Sequence, residues 1–409
     1  MEEPRYLTAE ETTAQLGISL STLYSYVSRG LIQSEAGVGD SRRRRYNGDD
    51  VRKLKERKEQ RHDPSGAAKA ALHWGAPILD SALTLITDDG LYYRGHDASG
   101  LAGTHTFEQV ASLLWTGSFS RAHEIFQAGA SGLHSLNSLI PQEADLEPLQ
   151  RWIIALITAS TKDPAAYTLL PQRGAEVGAR IVRLMVACVA AGNDFDSHVS
   201  EVLARRWAEG QPVAAGLLNA ALVLSADHEL NLSSFVARAV ASGGASLYSV
   251  VIAGLAAMQG FRHGGDIMRV EAMLEEIGEP ENTPTILLQR IRSGERVPGF
   301  GHRLYPAEDP RGRRLLELVE QASPHAPALR LASAVSASAE RMIGQGPTID
   351  FALAVMARVL CLPPGSALAI FSLGRTAGWI AHALEQYARG DLIRPRAAYT
   401  GVPPIVTAP

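Results

Sequence analysis

Cysteine is scarce in this chain. Only Cys188 and Cys361 occur in 409 residues, both among apolar neighbours and without Cys-x-x-Cys spacing. That excludes a disulfide framework and a thiolate zinc site, and predicts buried thiols of a reducing compartment. A large net charge is also missing: the formal charge of −4 excludes a wholesale nucleic-acid coat, so any contact with DNA must be local. The opening Met1-Glu2-Glu3-Pro4 is acidic where a leader would need a basic start and an apolar core, so no signal peptide is expected. The run from Ala239 to Phe261 carries no charge, yet its four glycines, its serines and Gln259 predict a buried core helix rather than a membrane span. Internal repeats and low-complexity tracts are absent. These absences together predict a cytoplasmic protein that makes no membrane contact.

What is present is an ordinary globular composition, 46% hydrophobic and 20% charged. Single cores stop growing at roughly 250 to 300 residues, so a chain of this length predicts two or three domains.

Residues 1–61 read as a small separate module. Thr8-Ala9-Glu10-Glu11 has the spacing of a capping box and starts a helix. Leu16-Gly17-Ile18-Ser19 ends that helix at a glycine suited to a left-handed conformation and restarts another at a serine cap, the spacing of a helix-turn-helix. Leu20 to Arg29 is then the candidate recognition helix, with Ser21, Thr22 and Tyr24 as candidate DNA contacts. Arg42, Arg43, Arg44 and Arg45 follow beside Tyr46, and Asp49-Asp50 cap a charged helix from Val51 to about Arg61. Residues 42–61 hold ten basic against four acidic side chains, a local surplus suited to phosphate, while the recognition helix would read base edges. In Tyr6-Leu7-Thr8-Ala9-Glu10-Glu11, Leu16-Gly17-Ile18-Ser19, Thr22-Leu23-Tyr24, Arg29-Gly30-Leu31-Ile32 and Arg45-Tyr46 the module resembles the MerR and excisionase type of winged helix-turn-helix. Double-stranded DNA is its implied partner.

Residues 62–75, with Asp63-Pro64-Ser65-Gly66 and then alanines, read as a linker. Beyond it the spacing of apolar residues is helical in Phe107 to Trp115, Trp152 to Ile157, Ile181 to Val189, Ala214 to Leu224 and Ala377 to Tyr387, which predicts a mainly α body. Thr84 to Tyr93 predicts a short hairpin around Asp88-Asp89-Gly90.

Three segments of that body are each centred on an ionisable side chain. They are Gly260-Phe261-Arg262-His263-Gly264-Gly265, then Val297-Pro298-Gly299-Phe300-Gly301-His302-Arg303-Leu304-Tyr305, then Pro347-Thr348-Ile349-Asp350-Phe351. Two histidines presented by glycine-rich turns, with one carboxylate, suit proton abstraction beside a carbonyl and addition of the resulting enol to a second carbonyl. Asp309-Pro310-Arg311 places a guanidinium near His302, able to grip a carboxylate with two bonds. Gly374-Arg375 reads as a second arginine at a helix start, and Ile393-Arg394-Pro395 supplies a third. Three arginines beside glycine or proline suit a small polycarboxylate.

From about Leu83 to Pro404 the chain resembles the citrate synthase and 2-methylcitrate synthase family. The resemblance rests on the order of Tyr93-Arg94-Gly95-His96-Asp97, Phe107-Glu108-Gln109-Val110-Ala111, Asp227-His228-Glu229-Leu230-Asn231, His263-Gly264-Gly265, Pro298-Gly299-Phe300-Gly301-His302, Asp309-Pro310-Arg311, Asp350-Phe351, Gly374-Arg375, Gly378-Trp379, Ala381-His382 and Ile393-Arg394-Pro395. It implies a helical homodimer with a large domain over 76–263 and 357–409 and a small domain over 264–356. It also implies a condensation of acetyl-CoA with oxaloacetate to give citrate and coenzyme A, with propionyl-CoA as the alternative substrate. On this resemblance Asp350 takes the methyl proton, His263 donates to the thioester oxygen and His302 protonates the oxaloacetate ketone. His228, Arg311 and Arg375 hold oxaloacetate, with Arg394 similar to the arginine that the family supplies from the partner subunit. Val297, Pro298, Gly299 and Gly301 face coenzyme A, which is a substrate. No metal and no further cofactor is expected.

Three positions depart from the family's pattern. Asp266 follows His263-Gly264-Gly265 and is expected to act on the imidazole's basicity. Pro306 stands where a basic residue associated with coenzyme A phosphates is common, and Thr348 where asparagine is usual. These departures leave open a second reading, a transcription regulator whose synthase-like body senses a metabolite. A third reading is an enzyme whose N-terminal module binds a protein.

Overall fold

The computed structural model describes residues 6–28, 31–37, 40–48, 50–51, 79–130, 141, 146–168, 170–190, 194, 196–261, 263–397 and 399–402. The chain divides into two units, Met1–Asp80 and Ser81–Pro409.

The first unit runs β1 (Tyr6–Leu7), α1 (Ala9–Leu16), α2 (Leu20–Ser28), β2 (Ser34–Gly37) and β3 (Asp40–Asn47). The capping box forms: the Thr8 hydroxyl accepts from the Glu11 N–H at 3.2 Å, and Glu11 accepts from the Thr8 N–H at 2.8 Å. Gly17 takes the left-handed conformation (φ 56°) that turns α1 into α2, and the Ser19 hydroxyl accepts from the Thr22 N–H at 3.3 Å. The three strands pair antiparallel in the order β1-β3-β2, with Leu7 opposite Tyr46 and Glu35 opposite Arg45. Leu7, Leu16, Leu23, Ile32, Tyr46 and Val51 form the core. Beyond Val51, the expected charged helix and the linker lie outside the described residues.

The second unit opens with the expected hairpin, β4 (Thr84–Ile86) against β5 (Leu91–Tyr93), and β6 (His96–Asp97) adds a third antiparallel strand. Helices follow: α3 (Ala98–Thr104), α4 (Phe107–Thr116), α5 (Ala122–Ala130), α6 (Pro148–Ser160), α7 (Pro171–Ala190), α8 (Val199–Trp207), α9 (Ala214–Ser225), α10 (Leu232–Ser242) and α11 (Leu247–Met258). Then come α12 (Gly265–Ile277), a 3₁₀ turn (Pro280–Asn282), α13 (Thr283–Arg292), α14 (Pro310–Ala322), α15 (Pro327–Ile343), α16 (Ile349–Val359) and α17 (Ser366–Arg389). The charge-free run from Ala239 is two helices rather than the one expected. Gly243 and Gly244 end α10, Gly244 with φ 76°, and Ser246 caps α11 by accepting from the Ser249 N–H.

Two apolar cores hold this unit. The larger draws on residues from Leu83 to Leu384, and the smaller is built only from 270–355, around Val270, Leu274, Phe300, Val335 and Phe351. Helix α17 runs through the larger core with nearly every side chain from Ser366 to Leu384 buried. Trp379 alone, fully buried, is worth about 3 kcal/mol of apolar burial. Two glycines one turn apart let α17 lie against the end of α9. A Cβ on Gly374 would fall 2.7 Å from the Leu222 carbonyl oxygen, and one on Gly378 would fall 2.5 Å from that of Ala226. That contact sets Arg375, between the two glycines, beside the loop that follows α9.

Candidate active site

The loop from α9 to α10 is Ala226-Asp227-His228-Glu229-Leu230-Asn231. Glu229 has φ 50°, a strained conformation for a side-chain-bearing residue, and the turn it makes presents His228 inward. His228 is buried, and its Nε2 lies 3.0 Å from the Tyr305 hydroxyl. Its ring meets that of His302 edge-on at 5.2 Å, and His302 lies 5.0 Å from Tyr305. Arg311 sits over the Tyr305 ring at 5.8 Å. Burial first, then the Arg311, His302, Arg375 and His263 side chains, hold His228 well below the ordinary histidine range, so it is neutral.

Arg311 lies in the first turn of α14 and is buried. Its fork is filled by Asp309, the cap of its own helix, with Nε–H donating to Oδ1 at 2.9 Å and Nη2–H to Oδ2 at 2.7 Å. Asp309 thus takes the Nε and Nη2 donors of Arg311 and fixes the guanidinium in place. Asp309 also accepts from the Ile349 N–H at 3.1 Å, which ties α14 to the start of α16.

Arg375 stands in the middle of α17 rather than at the helix start expected. It is buried, Nε–H donates to the Ser225 carbonyl at 2.7 Å, and Nη2 has no partner among the described residues. A buried guanidinium with donors to spare is a place for an anion.

His263 lies between α11 and α12, and burial, with Arg375 nearby, pushes it down to about 4. His302 is pushed down to about 4 as well, by burial and by Arg311. Both rings are neutral at pH 7. The Leu304 N–H donates to His302 Nδ1 at 3.2 Å, so the ring proton of His302 is on Nε2, which can donate outward. His263 Nε2 lies 2.9 Å from the Ser233 hydroxyl. That hydroxyl also lies 2.9 Å from Asn231 Oδ1, which cannot donate and already caps α10 by accepting from the Ser234 N–H. The one Ser233 proton thus has two claimants, and its choice decides which nitrogen of His263 carries hydrogen.

Asp350 occupies the first turn of α16, 3.3 Å from the Thr348 hydroxyl. Burial is the main cause, and the Asp266 carboxylate the second, that raise it to about 6, against the opposing charge of Arg311. Asp266 therefore acts on the acid, whereas His263 owes its depression to burial and Arg375. Val297, Pro298, Gly299 and Gly301 line the strand-like approach to His302, where the Thr348 N–H donates to the Gly299 carbonyl and the Gly301 N–H to that of Gly346. Arg394 is apart from this cluster. It is exposed on the segment after α17 and pairs with none of the described residues.

In the first unit Ser21 and Tyr24 are exposed on α2, with Thr22 partly so, and the hydroxyls of Ser21 and Thr22 both meet Ser19. Arg44 and Arg45 are exposed on β3, with Arg44 Nη1–H donating to the Ser34 hydroxyl at 3.1 Å. Arg42 and Arg43 lie on the same strand.

A family model described as "Citrate synthase, C-terminal domain" matches residues 71–396, most of the chain. The chain belongs to the citrate synthase family. A second model, "Helix-turn-helix domain", matches residues 6–59. Citrate synthase of Haloferax volcanii is 32% identical over 368 residues, covering 82% of this chain and 97% of that protein. Citrate synthase 2 of Bacillus subtilis is 29% identical over 357 residues, covering 80% and 94%. A 2-methylcitrate synthase of Mycobacterium tuberculosis is 28% identical over 334 residues, covering 76% and 85%. Among solved structures, citrate synthase from Thermotoga maritima superposes with a TM-score of 0.70 at 24% identity, over 82% of this chain and 96% of that one. Citrate synthase from Thermoplasma acidophilum, in a ternary complex with carboxymethyl coenzyme A and oxaloacetate, gives 0.68 at 22%, over 82% and 96%. This member of the family is thus an acyltransferase-type enzyme with a mainly helical fold, preceded by a helix-turn-helix domain.

Tyr305, Ser233 and Asp309 had not been singled out as site residues in the sequence. Tyr305 and Asp309 fall inside the segments around His302 and Arg311, so their nearness was on view. Ser233 is thirty positions from the histidine it touches, and nothing local marks it.

Proposed function

We propose that this enzyme condenses acetyl-CoA with oxaloacetate and releases citrate and coenzyme A. The observation that carries the reading is the gathering of His228, His302, Tyr305, Arg311 and Arg375 around one another, with His263 and Asp350 within the same field of charge. Arg375, with its unpartnered Nη2, His228, and Arg311 through the Nη1 that Asp309 does not engage, suit the carboxylates and ketone of oxaloacetate. Asp350, raised to about 6, is an ionised but strengthened base at pH 7 and takes a proton from the thioester methyl group. A hydrogen bond from His263 to the thioester oxygen stabilises the enolate. The new carbon–carbon bond forms at the oxaloacetate ketone, whose oxygen receives the Nε2 proton of His302. Water then cleaves the citryl thioester and coenzyme A leaves. Coenzyme A enters as a substrate, near Val297, Pro298, Gly299 and Gly301.

Propionyl-CoA is the second substrate to weigh, favoured by the similarity to a 2-methylcitrate synthase. One methylene changes selectivity by only about 1 to 3 kcal/mol, so the two thioesters must be compared directly. The test is thiol release from each thioester, with and without oxaloacetate. Release that requires oxaloacetate supports the reading, and release indifferent to it rejects the condensation.

The body divides, in this reading, into a large domain (76–263 and 357–409) and a small one (264–356); the smaller core lies within the latter, while Ile267, Leu315, Val319 and Leu353 of the same stretch join the larger core. A homodimer is supported by the exposed Ile154 and Ile157 on α6, and Tyr167 and Leu170 before α7. An exposed Arg394 then reaches the partner's oxaloacetate. The N-terminal module binds double-stranded DNA through Ser21, Thr22 and Tyr24 of α2 and Arg42, Arg43, Arg44 and Arg45 of β3. The enzyme is cytoplasmic in this reading. No described helix is long and apolar enough to cross a membrane.

A further inference from the structure

One acidic side chain beside the site has no part in the mechanism above. Asp266, in the first turn of α12, accepts from the Gly299 N–H through Oδ2 at 3.2 Å. On the other side of the Gly299 Cα, the Gly299 carbonyl accepts from the Thr348 N–H at 2.9 Å and from the Thr348 hydroxyl at 3.2 Å. The same hydroxyl reaches Asp350 Oδ2 at 3.3 Å. The Gly299 backbone and Thr348 therefore link two carboxyl groups that stand 84 positions apart in the chain, the one Thr348 hydroxyl proton being shared between the Gly299 carbonyl and Asp350. Its middle link must be glycine. Gly299 has φ 79°, and a Cβ there would fall 2.6 Å from Val270 on α12 and 3.0 Å from Phe351 on α16.

We propose that Asp266 is a positioning residue for Asp350, fixing the Thr348–Asp350 turn through the Gly299 backbone and holding a second negative charge near the catalytic base. The inference rests on the reading of Asp350 as the base. The charged groups that act on Asp350 come from three elements: Asp266 on α12, Asp309 and Arg311 at the start of α14, and Arg375 on α17. Arg311 is already paired with Asp309, so these two largely offset one another. Asp266 has no ion-pair partner among the described residues; the Gly299 N–H is the donor it accepts from. Next to burial it is the largest influence lifting Asp350 to about 6. A carboxylate at 266 thus makes the base stronger than its helix N-terminus would leave it.

The test separates charge from geometry. Asp266→Asn keeps an oxygen for the Gly299 N–H and removes the charge, whereas Asp266→Ala removes both. In Asp266→Asn the acid limb of kcat/KM is expected to move down by about one pH unit, with KM for oxaloacetate unchanged. Asp266→Ala is expected to lose in addition about ten-fold in kcat through the loosened turn. An acid limb that stays in place in Asp266→Asn overturns the proposal. An infrared titration of the Asp350 carboxyl, taken as the difference between a protein with Asp350 and its Asp350→Asn counterpart, reads the same shift without turnover. If its midpoint falls with Asp266→Asn while neither protein turns over, the inference stands and the proposed reaction fails. If turnover is normal and the midpoint is the same with and without Asp266→Asn, the inference alone fails.

Discussion

The Gly378 N–H donates to the Ala226 carbonyl at 2.9 Å. A backbone bond between the interior of a helix and the end of another is possible only where the two approach without side chains between them. This one holds α17 against the loop that carries His228, and it explains how Arg375 comes to lie beside Ser225 and Asp227.

Gly378→Ala is accordingly expected to destabilise the enzyme by about 2 to 4 kcal/mol, since its Cβ would fall 2.4 Å from Asp227 Oδ1 and 2.5 Å from the Ala226 oxygen. The pressure is applied next to His228, so KM for oxaloacetate should rise as well. Chemical denaturation and steady-state kinetics measure the two effects. A melt and a KM like those of the parent protein would mean that the helices do not meet as described.

Stability should depend on pH through Asp350. Its carboxyl is raised from 3.8 to about 6 in the folded protein, so the stability it contributes is complete below pH 3.8 and is lost as pH rises through about 6. Asp350→Asn stays neutral throughout and should gain on the parent protein over that interval, by about 2 kcal/mol at pH 7.5 after allowance for partial exposure. Thermal melts at pH 4 and pH 7.5 give the comparison. A difference that does not change between the two would refute the elevated carboxyl.

Ser233 is expected to set the proton on His263. For His263 Nδ1 to donate to a thioester oxygen, the Ser233 hydroxyl must turn its proton from Asn231 to His263 Nε2. Ser233→Ala removes that control and should lower kcat about ten-fold with little change in KM for oxaloacetate. An unchanged kcat would show that His263 reaches the required tautomer unaided.

For the N-terminal module the expected signature is electrostatic. Affinity for duplex DNA should fall steeply with salt, and Arg44→Ala or Arg45→Ala should each weaken binding on every sequence and reduce the salt slope by about one. Binding that ignores salt, or no binding, would make the module a protein-contact device.

Local signals were readable in the sequence, and contacts between distant segments were not. The Thr8 and Glu11 capping box, the left-handed Gly17 and the hairpin around Asp88-Asp89-Gly90 are fixed by neighbours a few positions away, and each formed where the residues pointed. Gly374 and Gly243 show the limit. In sequence Gly374 looks like a break before Arg375, yet it lies inside a 24-residue helix because its missing side chain is needed for packing. Gly243-Gly244, inside a run that looks uniformly apolar, does end a helix. Asp266 was placed correctly near the site but assigned to the wrong neighbour, since only the fold brings the Gly299 turn between it and Asp350. The spacing of Asp309 and Arg311 did not show that the cap of the helix also orients the guanidinium two positions on.

The claim on which the rest depends is that Asp350 removes a proton from carbon so that the thioester and the keto acid become one molecule. Product analysis by mass spectrometry, after incubating acetyl-CoA and oxaloacetate with the parent enzyme and with Asp350→Ala, tests it most directly. The account predicts a tricarboxylate product and free coenzyme A from the parent enzyme, formed at least about a hundred-fold more slowly by Asp350→Ala. Equal rates for the two proteins, or coenzyme A released with no joined product, would contradict it.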